Sequence, residues 1–196
     1  MRYAEERVVS GFARVARRLG AIGDHFRVAD PLDILGNRIG QPSLCFDIDP
    51  AFRLRRTRMW GRPTLYLASD AQDVRIGDIF GLDGRFFFVT ERESYRPFLC
   101  IACTHRVSLH GMQGREETRV SRCPVSLVMS GRGEEWRSGM PGSTRPGSYL
   151  MHMPLLPGVC LTPYMRMEDE RGMRYLIDAV EMSQNGIRAV ASMQQI

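Results

Sequence analysis

The stretch "VRIGDIFGLDGRFFFVTER", residues 74–92, decides the fold. Two apolar runs, 74–80 and 85–92, flank the pair Asp83-Gly84. Glycine tolerates the positive φ that a tight hairpin turn needs, so the pair predicts two antiparallel strands. Side chains on a strand alternate between faces. Phe86, Phe87 and Phe88 therefore cannot share one side, and each face of the second strand must bury at least one ring. That pattern fits a core or subunit-interface strand better than a platform for stacking bases.

The β pattern continues on both sides. "RPTLYLAS" (62–69) alternates, with Leu65 and Leu67 on one face and Thr64 and Tyr66 on the other. "RPFLCIACTHRVSLH" (96–110) is long enough to predict a bent strand, or one broken by a bulge. After the polar run 111–121, strand-like segments recur at 122–130, 149–156, 159–168, 173–182 and 186–194. Short strands with regular turn signals indicate small β-barrels or sandwiches. A weak repeat supports two copies of one hairpin-rich unit, because Arg85–Val89 aligns with Arg174–Asp178 except at the last position.

Upstream, Val8, Phe12, Val15 and Leu19 recur at helical spacing, and Tyr3 and Ala16 widen the stripe. Gly20 supplies the stop. Residues 24–60 are punctuated by Pro and Gly, with strand character only at 25–28 and 44–48. The expected organisation has five parts. An N-terminal amphipathic helix spans 1–20 and an extended arm spans 21–61. A first β unit covers 62–112, a linker 113–121, and a second β unit 122–196 with a long loop at 131–148. The fold class is mainly β, with two small barrel- or sandwich-like units in tandem.

Composition bounds the function. The chain has 196 residues, 43% of them hydrophobic and 25% charged, near the globular norm. No apolar run is long enough for a transmembrane helix, and the N-terminus lacks a signal-peptide core. A cytoplasmic site of synthesis and no membrane partner are expected. All 27 basic residues are Arg, and the net charge is +5. That balance permits a polyanionic partner without demonstrating one.

The chemical motifs are weak. Cys100 and Cys103 form a C-x-x-C, but on a strand they point to opposite faces and no second ligand pair follows. No helix follows to make a redox motif. Pairing Cys100 or Cys103 with His25, His105, His110 or His152 lacks any nucleophile elbow or oxyanion loop. Glu168-Asp169-Glu170 reads as a hairpin turn closed by Gly172, and Asp47 and Asp49 have no evident partner. No enzyme activity, cofactor or metal is expected. Cys45, Cys100, Cys103, Cys123 and Cys160 are candidates for an inter-subunit disulfide outside a reducing cell. The densest basic run, with Arg53, Arg55, Arg56 and Arg58, is a candidate interface for DNA or an acidic partner.

Residues 61–111 resemble small structural proteins of tailed-bacteriophage necks. The matching positions are Gly61, Arg62, Pro63, Thr64 and Tyr66; Gly77 and Asp78; Phe86 to Val89; Pro97; and Cys103, Arg106, Val107 and Ser108. The run from Trp136 onward resembles the C-terminal part of the same family, through Pro154, Pro157, Gly158 and Val159 and the hairpin Arg171 to Ile177. Where the second copy should carry Gly-Asp, this chain has Tyr164-Met165-Arg166.

The resemblance implies a head-closure, collar or connector protein in the virion neck. It implies a homo-oligomeric ring of six or twelve subunits, with portal and tail-terminator proteins as partners. Packaged double-stranded DNA passes through such a ring, so contact with it would be non-specific. A tail-terminator or tail-completion role is the alternative within that assembly. An OB-like nucleic-acid-binding module, with Phe86–Phe88 on its surface, is the alternative from another class.

Overall fold

The computed structural model describes residues 2–53, 63–113, 116–130 and 147–194. Arg55, Arg56, Arg58 and nearly all of the 131–148 loop lie outside them. Helix α1 (Arg2–Leu19) forms where the helical stripe predicts it and ends as the Gly20 amide bonds the Ala16 carbonyl. Its Phe12, Val15 and Ala16 lie against Cys45, Phe52 and Ala68, so the helix covers the outside of a sheet.

That sheet holds β1 (Ala21–Ile22), β2 (Asp24–Phe26), β3 (Arg38–Gly40), β4 (Ser43–Asp47), β5 (Thr64–Ser69), β6 (Ile79–Leu82), β7 (Arg85–Glu91) and β8 (Phe98–Ala102). Their order is β1-β4-β5-β8-β7-β6-β2-β3. Only Gly23 separates β1 from β2, so one segment starts along β4 and finishes along β6. This draws the two sides of the sheet together into a half-barrel. A Cβ on Gly23 would strike the Gly81 carbonyl and the Leu44 side chain, which explains glycine at that crossing.

The second unit is a closed barrel of β9 (His105–Gln113), β10 (Glu116–Met129), β11 (Ser148–Met153), β12 (Arg166–Asp169), β13 (Arg174–Ser183) and β14 (Gly186–Met193). The pairing order is β10-β11-β14-β13-β12-β9. Treating β1 and β2 as one segment, the two units share a topology. That segment, β4, β5, β6, β7 and β8 correspond in turn to β9, β10, β11, β12, β13 and β14. The sequence repeat falls at matching places, since Arg85 and Arg174 each open the fifth strand of a unit.

The predicted hairpin is present: β6 and β7 pair Leu82 with Arg85 across Asp83 and Gly84, both at positive φ. Phe87 and Val89 enter the interior of the first unit, where Phe87 stacks on Phe46 at 3.9 Å. Phe88, with Ile79 and Ile101, joins a core shared with the second barrel. Full burial of a ring this size is worth about 1.5–3 kcal/mol, so both faces of β7 contribute to stability.

The strand order divides the chain differently from the sequence reading. The 21–61 arm supplies β1 to β4 to the first unit, and the 113–121 linker belongs to the β9–β10 hairpin. The boundary is instead Cys103-Thr104: the Cys103 amide donates to Phe86 in the first sheet and the Thr104 amide to Val125 in the second. The predicted break in 96–110 lies at this switch. Strands of two to five residues carry too little alternation to announce themselves, and the polar adjoining ends of β9 and β10 read as linker.

Candidate functional site

Several of the described residues that carry the sequence resemblance perform structural chemistry. Asp78 is 2% exposed and carries a dense network. Its Oδ1 accepts from Arg27 Nε at 2.9 Å, and its Oδ2 from Arg27 Nη2 at 2.8 Å. Oδ2 also meets His25 Nε2 at 2.9 Å and the Arg75 amide at 2.8 Å. Burial alone would raise this carboxyl, but the bonds from Arg27 and His25 outweigh it and hold the pKa down at about 2. Gly77, at φ +90°, lets residues 75–78 turn tightly, which starts β6 at Ile79, not at Val74. His25, itself 2% exposed, stacks on Phe80 at 4.4 Å. Gly77-Asp78 was legible as a motif; its partners His25 and Arg27, some fifty residues upstream, were not.

The Cys103/Arg106/Val107/Ser108 group has a comparable explanation. Cys103 sits at the switch between sheets. The Arg106 guanidinium lies 4.7 Å from the Phe86 ring centre, and Val107 is fully buried. The Ser108 hydroxyl accepts from the amide of Arg122, which occupies a β-bulge at φ +49°. Asp169 does what the turn reading requires: Oδ1 accepts from the Arg171 and Met173 amides at 2.9 Å, and Tyr175 donates to Oδ2. Asp47 caps the Ile48 and Asp49 amides.

The cysteines do not converge on one surface. Cys45, Cys100 and Cys123 are buried; Cys103 and Cys160 are partly exposed. Cys100 belongs to the first interior, while Cys103 and Cys123 belong to the shared core, so the C-x-x-C does span two faces. Burial pushes the Cys45, Cys100, Cys103 and Cys123 thiols up, the reverse of an activated thiolate. Arg53 is exposed and lies 3.8 Å from Asp49. Phe87 and Phe88 are 3% and 1% exposed, which removes them from any stacking surface and leaves only half-buried Phe86 near solvent.

What the fold does assemble is an arginine cleft where the two units meet. Arg85 comes from β7, Arg106 from β9 and Arg122 from the β10 bulge. Together with Phe86, His105 and Glu170 they line a cavity of about 280 Å³. None of these three guanidiniums has a carboxylate ion-pair partner among the described residues, whereas many other arginines do. The one acid in the lining, Glu170, accepts the Arg106 backbone N–H at 2.6 Å. Each arginine is unremarkable in sequence; topology brings together positions 85, 106 and 122. Such a cleft offers forked donors to phosphate or carboxylate oxygens.

Comparison with known protein families, curated proteins and solved structures returns no match.

Proposed function

We propose that this protein, built of a half-barrel and a closed barrel, is a non-catalytic structural protein whose arginine cleft holds the phosphate backbone of DNA. The observation that carries the reading is the convergence of Arg85, Arg106 and Arg122, without carboxylate ion-pair partners among the described residues, at the seam of the two units. Contacts of this kind hold the backbone and read no sequence. Of the two nucleic-acid modes considered, backbone contact is favoured over base stacking because Phe87 and Phe88 are buried.

The resemblance to phage-neck proteins supplies the setting. In it the protein is one subunit of a virion ring between portal and tail terminator, with duplex DNA passing through. The matched residues Asp78, Val107 and Ser108 set a turn, a core position and a bulge of this fold, so these positions of the resemblance have structural roles here. Tail termination remains the alternative position in the same assembly.

Fluorescence anisotropy with a labelled duplex tests the cleft. Each phosphate contact contributes about −0.9 to the slope of log K against log salt, so three arginines predict a slope near −3. The triple variant Arg85→Gln, Arg106→Gln, Arg122→Gln should fold and lose most of that slope. Binding that is absent at about 50 mM salt, or unchanged in the variant, would sink the DNA reading. Electron microscopy of virions tests the setting separately: density for the protein is expected in the neck, and absence from the particle would refute it.

A further inference from the structure

The two units make one turn in the same place. Two residues before β6, the Gly77 amide donates to the Val89 carbonyl on β7, and the Val89 amide donates back to Asp78. Two residues before β12, the Tyr164 amide donates to the Ile177 carbonyl on β13, and the Ile177 amide donates back to Met165. Three residues upstream of each turn, Val74 and Leu161 enter a core. Gly77 has φ +90° and Tyr164 has φ +71°. Tyr164-Met165 therefore occupies the position of Gly77-Asp78, and a bulky side chain stands where the backbone favours glycine.

Nothing among the described residues compensates for that strain. Tyr164 is 80% exposed, the highest value among the exposed large hydrophobic side chains. Its ring and hydroxyl have no stacking or hydrogen-bond partner among the described residues. Strain kept at an exposed position points to a role in contact with something else. The preceding Pro163 restricts the turn, so the ring is a preorganised aromatic anchor.

The matching turn shows what such an anchor meets. Around Gly77 the turn is covered by the second unit: a Cβ there would lie 3.5 Å from the Leu155 carbonyl, in the segment that follows β11. The counterpart of that segment in the first unit is 70–73, which follows β5. Packing the first unit of another copy on the second unit of this one, as the two units pack within the chain, brings 70–73 to Tyr164. Residues 70–73 line a cleft of about 790 Å³, together with Val9 and Phe12 of α1 and with Tyr95 and Phe98. Val9 is 57% and Tyr95 46% exposed, so apolar surface is open at this cleft. Asp70 and Arg92 add polar groups to the lining, and the mixture suits a ring that ends in a hydroxyl.

We propose that Tyr164 docks in this cleft of a second copy of the chain. The knob lies on the second unit and the hole on the first, so the contact is head-to-tail and repeats from copy to copy, in a closed ring or an open row. It uses no arginine of the seam cleft and does not depend on the DNA reading.

Sedimentation velocity of the full chain without DNA, from about 1 to 500 µM, tests it. Association with a Kd of about 100 µM or tighter is expected. Tyr164→Gly, which supplies the residue found in the first unit, should fold without loss of thermal stability and weaken association roughly tenfold or more. Val9→Glu, at an exposed helical position, should weaken it from the other side. Each variant keeps one half of the contact, so an equimolar mixture should form a heterodimer and stop there. A wild-type chain that stays monomeric at about 500 µM would assign the tyrosine to a different protein and overturn the proposal. Unchanged association of Tyr164→Gly would overturn it too. So would loss in Tyr164→Gly alone, which would place the ring on another surface of the second copy.

Discussion

Replacing Asp78 by Asn tests the network on which the first unit turns. The wild-type carboxylate accepts bonds from both Nε and Nη2 of Arg27, from His25 and from the Arg75 amide. An amide supplies one oxygen and one NH₂, so one arm of Arg27 or the His25 ring meets a donor. Removing one partner of a buried pair costs about 3–5 kcal/mol. Arg27 keeps some solvent and its bond to Asp73, which places the expected loss near the lower end, about 3 kcal/mol. For a chain of this size that is a fall in Tm of roughly 6–12 °C.

The pH dependence gives a second handle on Asp78. Its pKa falls from 3.8 to about 2 on folding, so the native state favours the ionised form. The stability this provides, about 2 kcal/mol, is complete above the unfolded value and disappears as pH drops through the folded one. Urea unfolding of both proteins should therefore show a gap of about 3 kcal/mol from pH 5 to 7 that narrows below about pH 4 and falls to about 1 kcal/mol by about pH 2. A gap below about 0.5 kcal/mol at pH 7, or one that persists undiminished at pH 2, would refute the reasoning.

Three further outcomes are expected. Phe87→Ala should cost about 3–5 kcal/mol by emptying the first interior, whereas Phe86→Ala should cost about 1 kcal/mol by losing its contact with Arg106; paired denaturation curves give both. Gly23→Ala should destabilise by about 1–3 kcal/mol, because the added methyl meets Gly81 and Leu44, and an unaltered midpoint would argue against the tied half-barrel. Native thiol labelling should modify Cys160 first and Cys103 slowly, and Cys45, Cys100 and Cys123 only on unfolding. A virion disulfide through a buried thiol would show on a non-reducing gel and contradict that order.

The amino-acid sequence by itself determined the hairpin at 83–84, the two-faced burial of the phenylalanine run, the N-terminal helix and the mainly β class. These depend on local rules: positive φ at glycine, alternation by two and helical periodicity. The break in 96–110 was legible as excess strand length, and the repeat as Arg85 against Arg174.

The tertiary structure decided where the units divide. Segments as short as Ala21–Ile22 and Arg38–Gly40 become strands because neighbours present free edges to them, and no periodicity two or three residues long can say so. It also decided the sites. His25 and Arg27 bond Asp78 from some fifty residues away, and Arg85, Arg106 and Arg122 come to line one cavity. Each of those side chains is ordinary where it stands in the sequence. Its chemistry comes from neighbours that only the pairing of distant strands and the packing of the two units on one another bring close.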